Sequence, residues 1–170
     1  MIIFLCRILH KKESEFILKK IFPPTTKRIC ISTNQNVNYK IRNHTIRNIN
    51  VYKNSSDKIL SDNIEKLNSE WDIERIIELR VASLVIASTI LGLKKNKNWF
   101  FLTGAAGAFL LQHSLQGWCP SLPILRRMGV RTAEEINNEK MVYKMLRKDF
   151  PNIDSNDDLD AEEMLNIVEK

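Results

Sequence analysis

From Val81 to Leu93 the chain reads VASLVIASTILGL without a charged side chain, and from Trp99 to Leu125 the only titratable side chains are His113 and Cys119. Upstream, ERIIELR carries the first apolar pattern back to Glu74. A helix over 74–93 has ~20 residues and a length of roughly 30 Å, which matches a hydrocarbon core. Neither run shows the continuous polar face of a soluble surface helix. The basic KKNKN between them has the length of a tight helix–helix connection. The pattern predicts an all-α fold whose centre, residues 70–128, is a two-helix transmembrane hairpin with helices at about 74–93 and 99–117. A soluble hairpin is the rival reading, because a short uncharged run also fits a buried core helix.

Small residues recur at the spacing of helix-packing faces. Ser83 with Ala87 and Ser88 with Gly92 on the first helix, and Thr103 with Gly107 and Gly104 with Ala108 on the second, permit close backbone approach in lipid. Their first use is to seat the two helices on each other, and a dimer face is the second. Every tryptophan falls near a helix end. Trp71 precedes the first helix, while Trp99 and Trp118 lie ~28 Å apart along the second, where indoles anchor at the two interfaces. Arg126 and Arg127 complete the anchors. Lysines mark the loop and arginines the terminal side, with a slight positive-inside bias toward termini on the matrix, stromal or cytoplasmic face.

The flanks differ sharply in charge. Residues 1–58 hold about twelve Lys and Arg against about three acids, while residues 149–170 hold about eight acids and one lysine. The head is acid-poor and rich in Asn, Ser and Thr, and EFILKKIF puts Phe16, Ile17 and Ile21 on one face. That is the pattern of an organellar targeting segment, or of a disordered low-complexity extension. Mitochondrial inner membrane is the first location it implies, and a plastid membrane the second. The 129–170 region reads as an amphipathic helical tail with an acidic end. Thr132 and Glu135 form a capping box there, and Ile136, Tyr143, Leu146 and Phe150 share a face up to Pro151. Such a helix suits a membrane surface or a protein partner.

Several classes are disfavoured. The net charge of +6 is scattered and not interleaved with stacking aromatics, which argues against nucleic acid. Cys6, Cys30 and Cys119 follow no ligand spacing. The run Asp154, Asn156, Asp158, Asp160 places Leu159 and Leu165 where an EF-hand loop needs Gly and Glu. No catalytic set, cofactor, metal or small-molecule substrate is assignable.

Together, WDIER, the apolar helix, WFFLTGAAGAFLL and GWCPSLPILRRMGV resemble the YgaP-like transmembrane domain family over residues 70–130. The positions that carry the likeness are Trp71, Glu74, Arg75, Gly104, Gly107, Gly117, Cys119 and Pro120. The resemblance implies two transmembrane helices and a tendency to dimerise. It also implies, in some members, a fused rhodanese domain that handles sulfane sulfur. This chain has no room for such a domain, so a sulfur role requires a partner in trans.

Within that motif, Gly117, Cys119 and Pro120 admit three readings. Proline and glycine end the helix for steric reasons, with Cys119 a small packing residue. Alternatively Cys119, near Arg126 and Arg127, is a thiolate for sulfur or redox chemistry. The third reading is a haem or metal ligand with His113. The leading expectation is a non-enzymatic organellar accessory, assembly or scaffold protein in the bilayer, as a homodimer or within a membrane-protein complex. A sulfur relay through Cys119 is the alternative.

Overall fold

The computed structural model describes residues 23–150 and 159–169. The EFILKKIF segment and most of the Asp154–Asp160 run lie outside the described residues. Those described form eight helices and no strand: α1 (Arg28–Ile31), α2 (Gln35–Tyr52), α3 (Asp57–Ser69), α4 (Ile73–Lys94), α5 (Trp99–Gln116), α6 (Leu122–Arg127), α7 (Ala133–Leu146) and α8 (Ala161–Val168). They divide into two units. One takes residues up to Asn34 and Glu78–Pro123, the other Gln35–Ile77 and Ile124 onward. The chain passes between them at Asn34–Gln35, inside α4 and inside α6.

The first unit is the hairpin. Helix α4 and helix α5 end within a residue of the boundaries read from the sequence. The seam is polar at its centre, where Ser88 Oγ and Thr103 Oγ1 share a 2.6 Å hydrogen bond. Gly92 faces the Phe100 ring so closely that a Cβ there would meet it at 3.0 Å. Gly104 and Gly107 are not in this seam, since a Cβ on either meets nothing within 4 Å. Ser83, Ala87 and Ala108 are likewise exposed. The hairpin is thus seated by Ser88, Gly92 and Thr103, all three among the small residues singled out from sequence, together with Phe100, while Ser83, Ala87, Gly104, Gly107 and Ala108 point elsewhere.

Large apolar side chains cover the outside of this unit, among them Ile86, Leu93, Phe101 (81 % exposed), Phe109 and Leu111. The stretch Asp57–Lys94 is long and apolar enough to cross a membrane, with a mean hydropathy of 1.9 in its apolar window, of which only 17 % is buried. Among the described residues it alone meets that measure. Helix α5, expected as a second span, falls short because Gln112, His113, Ser114 and Gln116 crowd its last turns.

The second unit has an apolar core of its own. Helix α2 buries Ile41, Thr45 and Ile49, spaced one turn apart. Helix α3 buries Leu60, Ile64 and Leu67, and helix α7 adds Ile136, Val142 and Tyr143. Helix α8 closes the cluster with Ala161, Met164 and Leu165. The Tyr52 and Tyr143 rings meet edge to face at 6.1 Å and 87°. Each fully buried Ile, Leu or Val stabilises by about 1.5–3 kcal/mol.

Two expectations change here. Residues 35–52, assigned to a targeting or disordered head, are a helix built into this core. The 129–170 tail does not stand alone, because its amphipathic helix α7 spends its apolar face on α2, α3 and α8 of its own chain. The Thr132–Glu135 capping box is present in both directions, and Asp160–Glu163 forms a second at α8. Helix α7 ends at Leu146, before Pro151, with Lys148 in a left-handed conformation at φ 61°.

Candidate functional site

The GWCP motif begins where α5 stops. Gly117 takes φ 72°, which a glycine adopts freely, and its N–H donates to the His113 carbonyl at 2.7 Å. The last carbonyls of α5 are met by the segment before α2. The Arg28 guanidinium donates to the Ser114 carbonyl at 2.5 Å, and Ser32 Oγ to the Gln116 carbonyl at 3.1 Å. A cation at a helix C-terminus also suits the helix dipole. This contact leaves no room at Gly117, where a Cβ would lie 2.7 Å from the Arg28 carbonyl carbon.

Beyond this turn, Cys119 is 4 % exposed and its Sγ lies 3.2 Å from Ser121 Oγ. Pro120 is exposed and follows it directly. His113, also 4 % exposed, is the other close polar neighbour of the thiol, and neither of its ring nitrogens has a hydrogen-bond partner of good geometry. Burial alone would raise the thiol pKa. His113 and Ser121 outweigh that and hold it below its ordinary value. The arginines expected beside the thiol do not do this. Among the described residues no three His, Cys, Asp or Glu side chains gather as a metal-holding group.

The anchors also separate. Trp71, Trp99 and Trp118 are partly exposed, and Trp71 carries the Arg75 guanidinium 4.4 Å above its ring. Arg127 is exposed. Arg126 is not an interface anchor: it is 1 % exposed within the second unit. There it grips Glu135 with both terminal nitrogens at 2.7 and 2.8 Å, and also Asn38 at 2.8 Å. Burial works against the Glu135 carboxylate, but Arg126 and the Thr132 cap hold its pKa below the usual range.

A second buried network escaped sequence reading. Arg131 pairs with Glu70 and with Glu139, and Glu139 accepts the Tyr143 hydroxyl at 2.8 Å. Burial disfavours the Arg131 charge, yet Glu70 and Glu139 raise its pKa; burial and Glu139 together push the Tyr143 hydroxyl up. Glu70 and Arg131 stand far apart in sequence, and no local spacing announces the pair.

No curated protein and no solved structure matches the chain. Residues 72–135, which hold the exposed apolar hairpin and the GWCP turn, match the family model described as inner membrane protein YgaP-like, transmembrane domain, and this similarity supports a membrane location for the chain.

Proposed function

We propose that the protein is a non-enzymatic accessory or assembly component of an organellar membrane, with the hairpin in the bilayer and the second unit offered to a protein partner. The observation that carries this reading is the apolar stretch of α4 left uncovered by its own chain, within the matched domain. Lipid is the surrounding that such a surface suits. The polar interior of the second unit supports a scaffold role, because Arg126, Arg131, Glu135 and Glu139 are spent on tying helices together. The basic stretch ahead of α1 supports an organelle, the mitochondrial inner membrane first and a plastid membrane second. In mild detergent, the tagged protein from organelle membranes migrates with a large, defined set of partners. A bare dimer or free monomer contradicts the accessory role.

The His113–Cys119 neighbourhood supports a second reading, a sulfur relay. The Cys119 thiolate attacks the terminal sulfur of a rhodanese-type partner's persulfide, the partner's S–S bond breaks, and the partner leaves as thiolate. Cys119 then holds the persulfide. Unaltered growth of a null strain carrying Cys119→Ser overturns this relay.

A further inference from the structure

Within the second unit, between α2, α3, α6 and α7, lies a cavity of about 970 Å³. That volume is in the upper range of small-molecule sites. Its polar wall is unevenly charged. Lys40 and His44 come from α2, Lys66 from α3 and Arg127 from the end of α6. Lys40, Lys66 and Arg127 have no ion-pair or hydrogen-bond partner for their charged groups among the described residues, and His44 has only a long 3.5 Å contact to Asn48.

Two carboxylates also line the cavity, Glu70 and Glu139, and both are engaged by Arg131. Arg131 meets one of these two negative charges, and against the other stand Lys40, Lys66 and Arg127, so the wall remains net positive. Arg126 forms part of the same wall. Its two terminal nitrogens are taken, but its buried Nε has no acceptor. Three unanswered cations therefore surround one space, beside the apolar side chains of Val37, Ile41 and Met128.

We propose that this cavity is an anion site for a phosphate ester, held by Lys40, Lys66 and Arg127, with its organic part against Val37, Ile41 and Met128. The choice of phosphate follows from the donors. Three separate cations on three helices match a group with several peripheral oxygens, whereas one arginine fork already saturates a carboxylate. Two sources supply this chemistry: a water-soluble phosphate ester and a phospholipid headgroup. The second is a source open to a chain that also carries a membrane-domain match.

The test is calorimetric titration of the full-length protein in nonionic detergent with three probes: glycerol 3-phosphate, dioctanoyl phosphatidylglycerol and dioctanoyl phosphatidylcholine. Binding of glycerol 3-phosphate that Lys40→Gln/Lys66→Gln/Arg127→Gln weakens at least about tenfold supports a soluble ester. Binding of phosphatidylglycerol alone, equally sensitive to that variant, supports a headgroup. A second variant, Lys58→Gln/Lys95→Gln/Lys97→Gln, removes the same charge elsewhere and should bind as the unaltered protein does. Failure of both anionic probes to bind overturns the site. So does equal binding by the cavity variant, or equal loss in the control variant. These substitutions fall on exposed side chains, and a circular-dichroism melt verifies that both variants are folded.

Discussion

Gly117 and the Arg28 backbone lie so close that a methyl group on Gly117 would sit 2.7 Å from the Arg28 carbonyl carbon. Two penalties therefore coincide at one residue, a positive φ of 72° and a steric overlap with backbone that cannot swing away. Gly117→Ala is expected to lose about 1–3 kcal/mol, read as a lower melting temperature in detergent. Gly104→Ala is its control: the site is open, and the helix gains up to ~1 kcal/mol of propensity. Equal behaviour of the two variants contradicts the packing described here.

The Ser88–Thr103 hydrogen bond predicts a measurable coupling across the hairpin. In a double-mutant cycle with Ser88→Ala and Thr103→Val, the coupling should be near 0.6 kcal/mol and at most about 1.7 kcal/mol. A coupling of zero means that the two hydroxyls do not meet.

How much of this was legible beforehand depends on which force shapes each element. The hairpin limits were readable because uncharged runs bounded by Trp, Lys and Arg report directly on helix length. The Thr132–Glu135 cap was readable because its two residues are neighbours in sequence. Helix α2 was hidden, since QNVNYKIRNHTIRNINVY shows only Ile41 and Ile49 on its buried stripe amid Asn, Lys and Arg. Its composition imitates a targeting segment. Glu139 and Arg131 look like members of a solvated face until Glu70 is brought to them from another helix. The GWCP turn announced the helix stop, but nothing in it announced that Arg28 and Ser32 would close the end of α5.

Glu139 is 1 % exposed and holds both Arg131 and Tyr143. Arg131→Met leaves the buried Glu139 carboxylate without its cation and is expected to cost about 3–5 kcal/mol in urea unfolding of the second unit. The double change Arg131→Met/Glu139→Leu should recover much of that loss, since an unpaired buried charge is worse than none. No recovery would show that the pair acts through something other than mutual neutralisation.

The Arg126–Glu135 pair sets an acid limit. Because the folded-state pKa of Glu135 is depressed, its stabilisation is complete above the unfolded value of about 4.3 and fades as pH falls through the lower folded value. The melting-temperature gap between the unaltered protein and Glu135→Gln should be widest near neutral pH and shrink below about pH 4. A gap that grows on acidification has the wrong sign for this pair.

At the thiol, alkylation reports on His113. In a Cys6→Ser/Cys30→Ser background, iodoacetamide should label Cys119 slowly, given its burial, with a pH midpoint below the ordinary value of about 8.5. His113→Gln should move that midpoint upward. An unmoved midpoint removes the imidazole from the thiol's surroundings.

The most direct test of the membrane hairpin uses spin labels in reconstituted bilayers, placed one at a time at Ile86 on α4 and Phe101 on α5, both exposed in the chain itself. A hairpin embedded in lipid makes both labels more accessible to oxygen than to a water-soluble nickel chelate. Greater accessibility to the chelate at both positions would contradict it, and would return α4 and α5 to water.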